Sequence, residues 1–325
     1  MGGVVRAVMI RAFGPPEVLE PAEVDEVRAG PDEVVIDVEL ANVTFVETQV
    51  RAGRPPHPSM LPALPAVLGN GVGGTVTGAG SGAGPGARRR VVASLNGTGG
   101  YAERAVSPVS RLIDVPDGLA MRDAVALLAD GRTALALAHR AGLRAGDTVL
   151  VEAAAGGVGT LLVQLARRAG TRVVALASQP HKLAVARDLG ADLTVDYRRD
   201  GWEKQVSDAA GEVDVVFDGV GGDIGLAAFG LLGAGGRFCP FGMASGSFAP
   251  VTPELARTRQ VTVLPGAAAS PEELAAWSRE ALAEAAAGRL RPVIGQEFGL
   301  AAAADAHAAI EARTTVGKTL LTVPR

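Results

Sequence analysis

The stretch 149–170, VLVEAAAGGVGTLLVQLARRAG, restricts the fold of this 325-residue chain more than any other part of it. An apolar, β-branched run leads through Ala153-Ala154-Ala155-Gly156-Gly157-Val158-Gly159 directly into apolar residues at helical spacing. A strand, a glycine turn and a helix in that order bring the unpaired N–H groups and positive dipole end of a helix up to a pyrophosphate. Gly156 and Gly157 let the backbone approach the phosphates, and Gly159 lets the helix pack closely on the strand. Gly156, Gly157 and Val158 are therefore expected to bind a dinucleotide. A tight turn without a ligand is the alternative reading.

The surroundings extend this unit. RVVALA, LTVDY and VDVVFDGV read as strands that are apolar nearly throughout, and they alternate with helical HKLAVARDLG and WEKQVSDAAG. Upstream, MRDAVALLADGRTALALAHRAG has helical spacing and a stop at Gly142. Buried strands alternating with amphipathic helices form a parallel sheet covered on both faces, a doubly wound α/β domain. IGLAAFGLLGAGG is expected to be helical, with RFCPFGM after it. The first part of the chain is rich in Val, Gly and Pro and reads as short strands such as VVRAVMI and DEVVIDVEL. GTVTGAGSGAGPGARRRVVAS is expected to be a glycine-rich turn between two strands. The tail should form helices over PEELAAWSREALAEAAAG and 301–313, then a strand, KTLLTVP.

Two further glycine clusters compete with the first. Gly69-Asn70-Gly71-Val72-Gly73-Gly74 fits the dinucleotide pattern letter by letter, but TVTGAG follows it instead of a helix, so it is read as a decoy. VVFDGVGGDIG does follow a strand and would lie at the carboxyl edge of the sheet, toward the nicotinamide end of a cofactor. Contact through Gly219, Val220 and Gly221 and a plain turn are both open there. The choice of nicotinamide follows from the end of the second strand, where enzymes selecting NAD place an acid on the ribose 2′-hydroxyl. Here Ser178-Gln179-Pro180-His181-Lys182 stands at that point, without a carboxylate. Ser178 can donate to a phosphate and Lys182 can supply charge, which favours NADPH. Lys182 as a plain surface residue is the alternative.

Composition removes several function classes. A net charge of −4 gives no general attraction to nucleic acid or to an anionic membrane. The one run of basic residues, Arg88-Arg89-Arg90, reads as a solvated turn, with a phosphate contact as the minor alternative. With a single cysteine, Cys239, neither an internal disulfide nor a cysteine-based zinc site can form. Arg6 and Arg11 interrupt the apolar N-terminal stretch, Gly2 lacks the myristoylation context, and 124–138 contains Asp130 and Arg132. The expectation is a cytoplasmic enzyme.

The segment from 142 to 197, centred on AAAGGVG, resembles the core of the zinc-independent quinone oxidoreductase branch of the medium-chain dehydrogenase/reductases. The resemblance continues through VTFVETQVRAG, TGGYAERAVSP, GRTALALAHRAGL, GGRFCPFGMASG and TTVGKTLLTVP, and so covers nearly the whole chain. It implies a mostly β, GroES-like substrate domain from 1–120 plus 268–325, with a Rossmann NADPH-binding domain over 121–267. It also implies that Ser178, Lys182 and Tyr197 hold the 2′-phosphate, and that Thr133, Phe241 and Gly242 lie at the nicotinamide end. Lys318 joins the cofactor set. A homodimer through an edge strand, VTVLPGA here, is the assembly the resemblance implies.

Two departures from the branch stand out. Where relatives read VNFxD, this chain has Val43-Thr44-Phe45-Val46-Glu47, so Thr44 replaces an asparagine, and Asn70 replaces a glutamate in the GxExxG segment. The positions of the metal ligands in zinc-dependent cousins hold neither Cys nor His. The expected reaction passes hydride from NADPH to a quinone or an enone, while donors nearby stabilise the developing oxyanion. Thr44, Asn70, Tyr101 and Thr133 are the candidate polar groups of the pocket, and for Tyr101 the weight of the reading is on capping a turn. His57 is assigned to a surface loop, and His139 and His307 to packing or solvent. Enoyl reduction, and natural-product tailoring by reduction or cyclisation, are the alternatives within this chemistry. A catalytically silent NADPH-binding protein is the alternative of another class.

Overall fold

The computed structural model describes residues 3–81, 88–266 and 269–324. Two compact units are present, Met1–Ala129 with Ser278–Arg325 and Asp130–Trp277. The divisions fall inside helices α2 (Met121–Ala141) and α8 (Pro271–Ala286). The expected boundary at 267–268 and the tip of the glycine-rich turn at 82–87 lie outside the described residues.

The first unit is mostly β. It begins with β1 (Val4–Ile10), β2 (Glu20–Asp25) and β3 (Glu33–Val43), then a short helix, α1 (Phe45–Arg51). There follow β4 (Ala66–Val67), β5 (Gly71–Ala79), β6 (Arg90–Ser94), β7 (Arg104–Pro108) and β8 (Leu112–Asp114). Late in the chain β15 (Ile294–Gly299), α9 (Ala303–Glu311) and β16 (Lys318–Thr322) complete it. One sheet has the order β2-β1-β4; the other runs β15-β16-β3-β5-β6-β8, with β7 also on β3. Alternating Val, Ile and Ala on β3 and β5 turn Ile36, Val38, Val72 and Val76 into the core, which Val8, Ile10, Tyr101 and Leu321 close.

The glycines of the decoy motif have a packing role inside this unit. A Cβ at Gly74 would lie 2.0 Å from the Asp37 carbonyl oxygen of β3, and one at Gly73 would lie 2.3 Å from the Val125 side chain of α2. The segment is strand from Gly71 onward because neighbours approach its backbone too closely for side chains, and the next element among the described residues is the strand β6.

The second unit carries six parallel strands: β9 (Thr148–Val151), β10 (Arg172–Ala177), β11 (Leu193–Asp196), β12 (Val213–Asp218), β13 (Leu232–Pro240) and β14 (Thr262–Val263). Between them run α3 (Gly157–Arg168), α4 (Pro180–Asp188), α5 (Trp202–Ala210), α6 (Gly222–Gly230) and α7 (Pro253–Thr258). The spatial order β11-β10-β9-β12-β13-β14 is the 3-2-1-4-5-6 order of a Rossmann sheet, whose strand order reverses between its first and fourth strands. Val149, Leu150, Val174, Leu176, Val215 and Val216 are fully buried, as strands covered on both faces must be. The helix expected over IGLAAFGLLGAGG stops at Gly230, and Leu232 begins β13. Gly233, Gly235 and Gly236 supply no helix propensity, and Gly235 takes φ +81°. Among the described residues no helix is long and apolar enough to cross a membrane.

Candidate functional site

At the end of β9 the chain turns sharply. Ala153 sits at φ +48°, and Gly156 N–H donates to the Ala153 carbonyl at 2.8 Å. A Cβ on Gly159 would lie 2.2 Å from that same carbonyl oxygen, and one on Gly157 would lie 1.9 Å from Asp130 Oδ2. The backbone carbonyl requires glycine at 159, while at 157 a side chain would have to displace the Asp130 carboxylate. Gly156 is the N-cap of α3 and offers no capping side chain. The first N–H groups of a helix have no intrahelical partner, so those following Gly156 can meet an anion.

The neighbouring strand ends bring the expected phosphate residues together. Ala177 of β10 is in register with Asp196 of β11, so Ser178 and Tyr197, one residue on, emerge side by side. Lys182 stands in the first turn of α4. Arg198, which the sequence reading passed over, grips Asp196 with Nε at 3.1 Å and a terminal nitrogen at 3.0 Å. Its hydrogen bonds hold the Asp196 carboxyl below the ordinary carboxylate range. The Asp196 carboxylate, at the end of β11, thus stays ionised with its charge balanced by Arg198.

Across the strand-order reversal, the β12 end forms a second built loop. Asp218 Oδ1 accepts from the N–H groups of Val220 at 3.1 Å and Gly221 at 2.6 Å. Its carbonyl accepts from Phe241 and Gly242 at 2.9 and 3.1 Å. The Phe241 ring covers Gly219, where a Cβ would come within 2.7 Å of it. Gly219, Val220, Phe241 and Gly242 are therefore one assembly. Thr133 lies within α2.

The first unit gathers three of the four expected pocket residues, Thr44, Asn70 and Tyr101, on a group the sequence reading had not singled out. Thr44 is the N-cap of α1 in a capping box with Glu47. Glu47 Oε2 accepts from Thr44 N–H at 2.6 Å and from its hydroxyl at 3.0 Å. Glu47 Oε1 accepts from Asn70 N–H at 2.7 Å. Asn70 Oδ1 in turn holds the Leu95 and Gly97 N–H groups at 3.1 and 2.8 Å. Burial pushes the Glu47 carboxyl up, against the opposing pull of these donors and of Lys318. Lys318 itself is buried at the start of β16, in this unit.

Tyr101 is fully buried, its hydroxyl 3.0 Å from His307 Nε2 with the rings edge to face. Burial and then the Glu47 charge raise the Tyr101 hydroxyl well above its usual range. Burial, with Arg51 nearby, lowers His307 to about 3, so the imidazole is neutral. Thr44, Asn70 and Tyr101 thus spend identified hydrogen-bonding groups on holding the protein together. The Thr-x-x-Glu spacing of a capping box was the available signal for Glu47; nothing local marks His307. Among the described residues, no group of three or more His, Cys, Asp or Glu side chains is placed to hold a metal ion.

A family model described as zinc-binding dehydrogenase matches residues 157–282. A quinone oxidoreductase of Pseudomonas aeruginosa is 32% identical over 98% of this chain and 99% of its own length. A 2-haloacrylate reductase of a Burkholderia species is 30% identical over 98% of this chain and 99% of its own. The crystal structure of Escherichia coli quinone oxidoreductase complexed with NADPH matches with a TM-score of 0.89 at 26% identity, covering 98% of this chain and 99% of that one.

Proposed function

Because the chain belongs to the quinone oxidoreductase family of the medium-chain dehydrogenase/reductases, we propose that it is an NADPH-dependent oxidoreductase that reduces a quinone or another conjugated carbonyl without a metal. The observation that carries this reading is the Gly156–Gly159 turn, which opens onto the α3 N-terminus beside the strand-order reversal while Ser178, not an acid, follows β10. The residues fit the cofactor. Gly159 leaves no room for a Cβ against the Ala153 carbonyl, and α3 presents its first N–H groups for a pyrophosphate.

Bound NADPH would supply the hydride. The chain's own part is to hold and orient. Ser178, Lys182 and Tyr197 would take the 2′-phosphate, with Arg198 keeping Asp196 from repelling it. Gly219, Val220, Phe241 and Gly242, together with Thr133, would shape the nicotinamide end. On the substrate side, Glu47 would fix Thr44, Asn70 and Tyr101 as a pocket wall. The domain organisation over 1–120 plus 268–325 and 121–267, a cytoplasmic location and a homodimer through the edge strand β14 belong to the same reading.

The similarity to a 2-haloacrylate reductase supports a second acceptor class, the activated double bond of an unsaturated acid. Both acceptors are tested by following NADPH consumption, with NADH in parallel, against quinones, enones and unsaturated acids, with and without a chelator. Chelator-insensitive turnover preferring NADPH is expected. Preference for NADH, or NADPH binding with no acceptor reduced, would overturn the proposal.

A further inference from the structure

Two carboxyl groups meet at the strand-order reversal, and neither belongs to the glycine turn that opens onto α3. Glu152 follows β9 and Asp218 ends β12, adjacent parallel strands, and both residues are completely buried. Each spends one oxygen on the glycine loop after β12. Glu152 Oε2 accepts from Val220 N–H at 3.0 Å, and Asp218 Oδ1 accepts from Val220 and Gly221. The remaining oxygens, Glu152 Oε1 and Asp218 Oδ2, are buried without a hydrogen-bond donor. Two ionised carboxylates here would carry two like charges and two bare acceptors out of water, which disfavours double ionisation. A single proton between the two oxygens removes one charge and satisfies both.

We propose that Glu152 is a neutral carboxylic acid donating from Oε1 to Asp218 Oδ2, and that this acid–carboxylate pair is a positioning device that sets the Gly219–Val220–Gly221 loop. Asp218 is the ionised partner, since it collects two N–H groups immediately before the N-terminus of α6. Burial first, then the charge of Asp218 and its hydrogen bond, push the Glu152 carboxyl far above its ordinary value. Asp218 is the charged group acting on Glu152. Beside β9, β10 is apolar from Val173 to Ala177. Beside β12, β13 brings the Cys239 thiol, which burial raises to about 12 and keeps neutral. From α6, Gly225 faces Asp218 Oδ2, while Asp223 in its first turn is exposed. A side chain at 225 would collide with the pair, a Cβ there lying 2.7 Å from Asp218 Oδ2.

The effect of the loop on the cofactor rests on the NADPH reading above; the shared proton does not. The experiment is thermal unfolding of the cofactor-free protein from mildly acid to alkaline pH for the wild type, Glu152→Gln and Glu152→Ala, with NADPH affinity measured alongside. A raised folded-state pKa means that native Glu152 holds a proton the unfolded chain releases. Wild-type stability therefore falls as pH rises above the ordinary value of 4.5 toward the raised one. Gln keeps the donor to Asp218 and the acceptor for Val220 N–H with no proton to hold. E152Q is expected to melt above the wild type at neutral pH, by a margin that widens with pH. E152A is expected to melt lower and to bind NADPH roughly tenfold more weakly, with E152Q restoring most of that loss. An E152Q protein that melts below the wild type, shows a margin independent of pH, or fails to fold would overturn the shared proton. If no form binds NADPH, the cofactor reading fails, and the melting profiles still decide the proton.

Discussion

Glu47→Ala is the sharpest probe of the substrate-side unit. The carboxylate receives three hydrogen bonds, from Thr44 N–H, the Thr44 hydroxyl and Asn70 N–H. Alanine removes both acceptor oxygens, and with them all three hydrogen bonds, at a position only 5% exposed, and leaves two backbone donors without partners. A buried unsatisfied donor costs about 1–3 kcal/mol. Thr44 and Asn70 are only half-buried, so the lower half of that range applies to each, and losing the capping box adds about 1 kcal/mol. A loss of roughly 3 kcal/mol follows. At about 2–4 °C per kcal/mol, the melting midpoint should drop by roughly 6–12 °C. Glu47→Gln keeps the volume but halves the acceptors, so it should fall between the two. Circular dichroism melts of the three proteins provide the measurement. A drop below about 2 °C for E47A would refute the idea that the pocket wall is tied together through this carboxylate.

Gly159→Ala should destabilise the cofactor loop more than Gly157→Ala. Its Cβ would meet the Ala153 carbonyl, part of the backbone, whereas that of Gly157 meets the tip of the Asp130 side chain, which can move. NADPH titration of both variants would reverse this ranking if the turn were free to relax. Arg198→Ala should release the Asp196 charge beside the expected 2′-phosphate and cut the preference for NADPH over NADH about fivefold; an unchanged ratio of kcat/KM would remove Arg198 from the site. His307, lowered to about 3, must be neutral when folded, so stability is lost as pH falls from 6.5 toward 3, at about 1.4 kcal/mol per unit. His307→Gln should flatten that acid limb in denaturant titrations, and an unaltered limb would contradict the assignment.

The Rossmann half of the fold was legible because its determinants are local. Apolar runs such as VLV and VVALA, broken by glycine turns and followed by amphipathic helices, have one good solution as a parallel sheet. The decoy at Gly69–Gly74 could be rejected for a local reason too, the missing helix. The misjudged element, the start of β13, was lost where Leu-rich helix gives way to Gly233–Gly236 and apolar spacing no longer distinguishes helix from strand. Of the candidate site, the glycine turns and the placement of Ser178 and Tyr197 at strand ends were legible. Glu152, Asp218 and His307 were not, since their chemistry depends on partners brought in from distant sequence. A charged residue closing an apolar strand was the one mark Glu152 carried.

The pairing of β16 with β3 has a consequence for how the protein is made. Thr319 to Thr322 zip onto Leu40 to Val43, so the larger sheet of the first unit closes a loop spanning most of the chain. The Rossmann unit is drawn from one uninterrupted stretch, Asp130–Trp277, and can complete its sheet as soon as that stretch has left the ribosome. The β-rich unit must wait for strands synthesised after it, with the Leu40–Val43 stretch of β3 lacking its β16 partner during translation. A nascent chain stalled past residue 277 should already protect the Rossmann strands from proteolysis while the early strands stay open to chaperones.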